Sequence, residues 1–436
     1  MARRALLFPS YRGSGFGHIS RCLALAEELT RQGWDVAFYL GPPHAERVAK
    51  DGWTVFYPLA PPSPSYFRRL AKFILGRLQP TFTYLFFSDL NFQAVRDGFH
   101  TSQAVQQEVE WELDVVNRFH PDVLIGDVWL LTSIVGRLAG LPVVQIVRSA
   151  AHPADPQLVW WRDVPPQIQS PDVASVFNPA LTQWDLPPIR RAEDLLDGDL
   201  ILVPSIPELD PLPTGAERSH YVGPLIRSAA SGQTEPDWMA TLPEERPIIY
   251  VTVGGGSDAV RGLDVTPFWE EAFAGTDWEV VVSTGGQPAP RRQYRNMRVF
   301  SWLPGAAMVA RADVVLFHGG YGTMMETVRA GVPSVVLPFH TEQEGNGRRL
   351  EQNGAAQVLA PVDRDLVPME TRWAGGQFTA LACRQWWLQP DQVRTAVSAV
   401  LSNQRYQTNV RRLCHAQSAY AGVSLASKMI ADVVLC

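Results

Sequence analysis

Residues 313–347 read DVVLFHGGYGTMMETVRAGVPSVVLPFHTEQEGNG, and this stretch constrains the fold more than any other. Positions 313–317 form a short apolar run rich in β-branched residues, which suits a buried strand and is too short for a helix. His318-Gly319-Gly320-Tyr321-Gly322-Thr323 interrupts it. The spacing then predicts a helix over 324–330 that stops at Gly331, and a second buried strand over 332–337. A glycine-rich loop at a helix N-terminus offers free backbone N–H groups and the positive end of the helix dipole to an anion, most often phosphate.

A chain of 436 residues exceeds one ordinary core, so two domains are expected. With 46% hydrophobic and 19% charged residues it can bury a sizeable interior. A formal charge of −6 argues against a nucleic-acid partner, which wants a concentrated basic face. Cys22, Cys383, Cys414 and Cys436 show neither pairing nor metal-ligand spacing, so a reducing, cytoplasmic setting is expected. The apolar run 5–8 ends at Pro9, too short for a signal peptide, and no stretch is expected to reach the roughly 18 to 20 apolar residues of a membrane span.

The first 57 residues read strand (5–8), glycine loop (13–17), helix from His18, strand (34–40), helix (44–51), strand (53–57), the opening of a doubly wound α/β fold. In the first helix Ile19, Cys22, Leu23, Ala26 and Leu29 share one face. A proline-rich break follows, then a basic amphipathic pattern over 66–78; packing on its own domain is the favoured reading and peripheral membrane contact the lesser one. Strands are expected at 122–126, 141–147 and 199–203, with a helix at 130–139 between the first two. Residues 152–183 read as irregular, and 204–247 as a linker-like stretch. A second unit restarts with a strand at 248–253 and its own glycine loop, 254–257. It continues with a helix near 267–274, strands at 279–283 and 298–301, and a helix near 306–311. After the opening stretch come a strand at 355–359, an irregular segment over 363–389, and helices over 392–402 and 406–430.

Gly13-Ser14-Gly15-Phe16-Gly17-His18 fails as a dinucleotide fingerprint, because His18 stands where glycine is required and the second strand ends without an acidic residue. His18 lies instead where open α/β sheets place ligands, and an imidazole there can take a proton from a hydroxyl if a carboxylate orients it. Asp127 ends a strand of the same unit and is the candidate partner. Both residues capping their helices is the equal alternative. His318 differs in its neighbours: three glycines and Thr323 suit a pyrophosphate. Glu326, one turn on, can hold a ribose diol, and Glu342, Gln343 and Asn346 follow the next strand end, where they can bind sugar hydroxyls. Asp197-Gly198-Asp199 and Asp363-Arg364-Asp365 have the form of a metal-holding pair but read as surface turns, so no metal or other cofactor is expected.

The order Ser301-Trp302-Leu303-Pro304, His318-Gly319-Gly320-x-Gly322-Thr323, Glu326, Gly331-Val332-Pro333, Glu342-Gln343-x-x-Asn346 resembles the donor signature of family-1 nucleotide-sugar glycosyltransferases. Glu342 also stands 24 residues after His318, as in that signature. Gly17-His18, the strand ending at Asp127, Tyr221-Val222-Gly223-Pro224-Leu225 and the loop 254–257 extend the resemblance over most of the chain.

The resemblance implies an α/β, GT-B fold: two Rossmann-like doubly wound domains facing across a cleft. The expected acceptor domain spans 1–225, a linker 226–246, and the donor domain 247–410, with a terminal helix in 411–436 packing back on the first domain. It further implies an inverting, metal-independent transferase that moves a sugar from a UDP- or dTDP-sugar, as co-substrate, to a small apolar or aromatic acceptor. His18 would be the general base, supported by Asp127. Trp302 would stack on the base beside Leu303, and Glu326 would hold the ribose. His318, Gly320, Gly322 and Thr323 would bind the diphosphate, with Gly17, Gly255 and Ser257 nearby, and Glu342 and Gln343 would hold the sugar. A monomer or homodimer is expected. A nucleotide-sugar hydrolase or amino-sugar transferase of the same fold, and a non-catalytic sugar-nucleotide-binding subunit, are the alternatives. Three departures stand out: Arg21 replaces the proline of the Gly-His-x-x-Pro loop, Glu342 replaces an aspartate, and 363–389 is longer than its counterpart.

Overall fold

The computed structural model describes residues 2–13, 15–42, 44–58, 83–227, 236–254, 265–290, 292, 294–373 and 375–435. Gly255, Ser257 and the amphipathic stretch 66–78 lie outside them.

In the first half the chain runs β1 (Arg4–Pro9), α1 (Gly17–Arg31), β2 (Asp35–Tyr39), α2 (His44–Lys50), β3 (Thr54–Phe56), β4 (Tyr84–Phe86), α3 (Asn91–Arg96) and α4 (Ser102–Phe119). It continues through β5 (Val123–Asp127), α5 (Thr132–Ala139), β6 (Val143–Ile146), α6 (Ala174–Gln183), β7 (Leu200–Val203) and β8 (Ser219–Tyr221). All of these strands except β4 join one parallel sheet in the order β3-β2-β1-β5-β6-β7-β8. β1 and β5 are apolar and buried along almost their whole length, as strands covered by helices on both faces must be. The predicted apolar face of α1 (Ile19, Cys22, Leu23, Ala26, Leu29) is the one that is buried.

The second half runs β9 (Ile248–Thr252), α7 (Thr266–Phe273), β10 (Glu279–Ser283), β11 (Met297–Phe300), α8 (Gly305–Arg311), β12 (Val314–Phe317), α9 (Tyr321–Ala330), β13 (Ser334–Val336), α10 (Thr341–Gln352) and β14 (Ala356–Val358). Its parallel sheet has the order β11-β10-β9-β12-β13-β14. α9 stops where expected: Gly331 takes φ 66°, the left-handed conformation that ends a helix at no steric cost to glycine. The strand order reverses between β1 and β5 in one sheet and between β9 and β12 in the other. Each reversal opens a crevice at the carboxyl ends of the strands, the usual ligand site of such sheets.

Several sequence expectations are overturned. Residues 152–183 contain α6, hidden from the sequence by Pro179 inside it. The linker-like stretch carries β8 on the sheet edge. Segment 363–389 is a long antiparallel hairpin, β15 (Val367–Trp373) and β16 (Gly376–Cys383), followed by α11 (Pro390–Ser402). The last helix is two, α12 (Gln404–Ser418) and α13 (Val423–Leu435), with Gly422 at φ 57° between them. Span 404–435 is by length and composition apolar enough to cross a membrane, contrary to expectation. Here it is broken: α12 packs on α9, and α13 buries Ala426 and Ile430 against α1.

The hairpin joins the halves. β16 pairs antiparallel with β4 of the first half, forming a third sheet, β15-β16-β4. β4 is held on its other side too, by Leu85 N–H donating to Phe339 O (3.0 Å) and Phe87 N–H to Thr341 Oγ1 (2.8 Å). Tyr84, Phe86, Leu381 and Cys383 form a small buried core beneath, and the Tyr84 hydroxyl donates to Glu344 of α10. We expect Tyr84→Phe to cost about 1–3 kcal/mol, because Glu344 is buried and would keep only Arg348. The check is thermal denaturation: a lower Tm is expected, and an unchanged one would deny the hydroxyl any part in joining the halves.

Candidate active site

Pro9 and Asp127 are register partners at the carboxyl ends of β1 and β5, so the loop after β1 opens directly above Asp127. The second residue of α1 is His18, whose Nδ1 lies 2.8 Å from Asp127 Oδ1. Asp127 is fully buried. Arg21, one turn beyond His18, grips it with a fork: Nε donates to Oδ2 (2.8 Å) and Nη2 to Oδ1 (2.6 Å). Burial alone would raise the Asp127 carboxyl, but the Arg21 guanidinium and then His18 outweigh it and hold the group below the usual carboxylate value. The next residue, Val128, sits at φ 53°. A β-branched side chain there is strained by about 1–3 kcal/mol, and Gln93 Nε2 fixes the turn by donating to Val128 O (2.7 Å).

The loop between β1 and α1 is anchored from below. Arg12 donates to Glu108 Oε2 (2.5 Å) and to the Asp97 carbonyl, and Tyr39 donates to Glu108 Oε1 (2.9 Å). One turn on, Glu112 is pushed well above the carboxylate range by burial and by Glu108, and it accepts from Trp129 Nε1 (2.7 Å). Neither Arg12 nor this acidic pair was visible as a unit in the sequence, because α4 and the loop are about ninety residues apart.

Across the cleft, the His318 ring lies between two backbones: a Cβ on Gly254 or Gly320 would come within 2.4 Å or 2.3 Å of it. Desolvation, then the neighbouring His340, pulls His318 down to about 4, so it is neutral at ordinary pH. Its Nδ1 has no partner among the described residues. It stands beside the start of α9, where Gly322 is exposed and Thr323 partly so, and the first-turn amides of a helix lack intrahelical partners. Trp302 is 57% exposed, an unusual state for an indole, while Leu303 beside it is buried. The two helices that carry these loops touch: a Cβ on Gly305 at the start of α8 would lie 3.6 Å from Glu326 Oε2. Burial raises the Glu326 carboxyl, with Arg329 opposing.

The loop after β13 and α10 complete the arrangement. Gln343 Oε1 accepts from Phe339 N–H (2.8 Å), so part of this side chain caps its own helix. Asn346 donates to Gly319 O (2.8 Å) and accepts from Arg148 Nη1 (2.6 Å), which ties the first half to the glycine loop. Burial would raise Glu342, but His340, His18, Arg148 and Arg21 face it and lower it instead. It makes no hydrogen bond with the described residues. Arg21 and Arg148 flank Tyr321, the first residue of α9, with guanidinium carbons 4.5 and 5.1 Å from its ring centroid. The structure thus brings His18, Asp127, His318 and Glu342 to one cleft, with Trp302 in the loop before α8 and Glu326 within α9. Arg21, Arg148 and Tyr321 were missed; only Arg21 left a trace in the sequence, as a departure from proline.

Residues 271–378 match the family described as erythromycin biosynthesis protein CIII-like, C-terminal domain. A PGL/p-HBAD biosynthesis glycosyltransferase of Mycobacterium tuberculosis is 28% identical over 342 residues, covering 73% of this chain and 72% of the relative. A PGL/p-HBAD biosynthesis rhamnosyltransferase of Mycobacterium bovis is 26% identical over 377 residues, covering 82% and 77%. Among solved structures, spinosyn rhamnosyltransferase SpnG superposes over 100% of both chains with a TM-score of 0.69 at 19% identity. The chain is a glycosyltransferase with the GT-B fold, similar to the family-1 type. In this glycosyltransferase the two crevices described above lie at the carboxyl ends of its two parallel sheets.

His318 supplies a pH test. Its folded value, about 4, lies below the unfolded value near 6.5, so the native state binds fewer protons between them. Stability linked to this residue is complete above pH 6.5 and falls as pH drops toward 4, by up to about 3 kcal/mol. We expect His318→Asn to flatten the fall of Tm between pH 6.5 and 4. Identical slopes for both proteins would show that the ring is protonated without penalty.

Proposed function

We propose that this glycosyltransferase moves a sugar, with inversion and without a metal ion, from a UDP- or dTDP-sugar to a hydroxyl of a small apolar or aromatic acceptor. The observation that carries this reading is the His18–Asp127 pair, 2.8 Å apart at one switch point, with the charge of His18 acting on Glu342 of the other half. With Nδ1–H donated to Asp127, Nε2 is left to take the acceptor proton as the oxygen attacks the anomeric carbon. The diphosphate leaves on the opposite side, and one displacement inverts the configuration.

The donor half supplies the remaining groups. The exposed face of Trp302 stacks on the base next to Leu303, and the Glu326 carboxyl accepts from the ribose. The α9 N-terminus, with Gly320, Gly322, Thr323 and neutral His318 as a donor, takes the diphosphate. The α9 N-terminus and the neutral His318 ring support charge compensation by protein groups alone. Glu342, whose carboxylate has no hydrogen-bonding partner among the described residues, is left to accept sugar hydroxyls beside Gln343. Gly17 keeps the His18 loop open to the donor. SpnG has been solved with thymidine diphosphate, which supports a uridine or thymidine carrier here. Phe87, Phe92 and Phe378, with ring centroids 5.0 and 5.8 Å apart in sequence, supply an aromatic wall that supports an apolar acceptor. The free Cys22, Cys383 and Cys414 suit the cytoplasm.

A panel of UDP- and dTDP-sugars read by thermal shift identifies the donor. With that donor, His18→Ala is expected to lower transfer by about 10²–10⁴-fold while UDP or dTDP affinity, by calorimetry, stays within a few fold. His318→Ala is expected to weaken nucleotide binding. Transfer is expected to survive excess chelator. Retained transfer in His18→Ala, or activity restored only by a divalent ion, would overturn the reading, and release of free sugar without acceptor would make the enzyme a hydrolase.

A further inference from the structure

The Asp127 carboxylate is shared. Its Oδ1 accepts from Arg21 Nη2 at 2.6 Å and faces His18 Nδ1 at 2.8 Å, and Nη2 is itself 2.8 Å from that Nδ1. Arg21 is 6% exposed and is held in place by two carboxylate bonds on one edge and by the Tyr321 ring on its face. A guanidinium does not give up its charge. The negative charge that would steady an imidazolium is therefore already compensated before any proton moves. When His18 accepts the acceptor proton, its new positive charge appears beside a permanent cation of like sign. Arg148, a second guanidinium close by, is itself paired with Asp210 (2.9 Å), and the charge of Glu342 in the other half acts on His18. The dyad thus gains less from Asp127 than an isolated aspartate–histidine pair would.

We propose that Arg21 is a positioning residue that fixes Asp127 and His18 while restraining their basicity, and that it thereby confines the acceptor to acidic hydroxyls, phenols or enols, rather than aliphatic alcohols. The inference rests on His18 as general base. A phenol loses its proton some orders of magnitude more readily than an alkanol, so a restrained base suffices for it. The aromatic cluster of Phe87 and Phe92 from the first half with Phe378 from the hairpin fits the same class of acceptor.

The test uses the full-length enzyme, the donor found by thermal shift, a series of para-substituted phenols and the matching benzyl alcohols. Wild type is expected to use the phenols with kcat/KM at least about 100-fold above the alcohols. Arg21→Met is expected to narrow that ratio by about tenfold or more and to flatten the dependence of log kcat/KM on acceptor acidity, with the donor KM little changed. Arg21→Gln, which keeps a hydrogen bond to Asp127 without the charge, serves if the methionine variant does not fold. Wild type using benzyl alcohols within about tenfold of the phenols would overturn the proposal. So would Arg21 variants that lower both acceptor classes in parallel, the mark of a merely structural residue. Failure of the base reading appears separately, as transfer to phenols retained by His18→Ala.

Discussion

Everything at this site depends on one buried carboxylate. Asp127 ends the strand next to the topological switch of the first sheet, is closed off from water, and stays ionised only because Arg21 and His18 answer its charge. A buried carboxylate without such partners would take up a proton, and an imidazole without a carboxylate would lose its orientation. Arg21 therefore has two consequences: it makes the burial of Asp127 tolerable, and it limits what Asp127 can do for His18. The strained turn at Val128 and the Arg12–Glu108 anchor hold the two chain segments at the distance this balance needs.

The same residues tie His18 to the second half. Tyr321 begins α9, and its ring lies between Arg21 and Arg148 while its hydroxyl donates to the Pro204 carbonyl. Arg148 also reaches Asn346, which holds the Gly319 carbonyl. On the other flank β4 lies between the hairpin and the 339–341 loop, hydrogen-bonded to both. Opening the cleft would have to break these links together. The two halves are joined by side chains and backbone rather than by the connecting chain alone.

Much of the parallel architecture was legible because its strands are short apolar runs that end at glycine loops, and because α1 and α9 carry clear helical faces and stops. What escaped did so for physical reasons. β15 and β16 alternate exposed and buried positions weakly, since β15 lies on the sheet edge, paired only with β16, and β16 takes its second partner from β4, almost three hundred residues earlier. Pro179 masked α6, and β8 is an edge strand of three residues with little apolar signal. For the site, glycine and histidine positions carried the signal. Arg21 appeared only as an unexplained replacement, because a salt bridge spanning 106 positions leaves no local pattern.

The central claim is the division of labour on Asp127: His18 donates Nδ1–H to it while Arg21 occupies its other lone pairs. The competing arrangement, with Arg21 donating to His18 Nδ1, would leave the proton on Nε2 and no site for the acceptor proton. Nitrogen-15 NMR of the histidine-labelled enzyme at neutral pH, assigned by comparison with His18→Gln, distinguishes the two directly. The account predicts a His18 signal pair with Nδ1 protonated and Nε2 bare. A protonated Nε2 with a bare Nδ1 would contradict it.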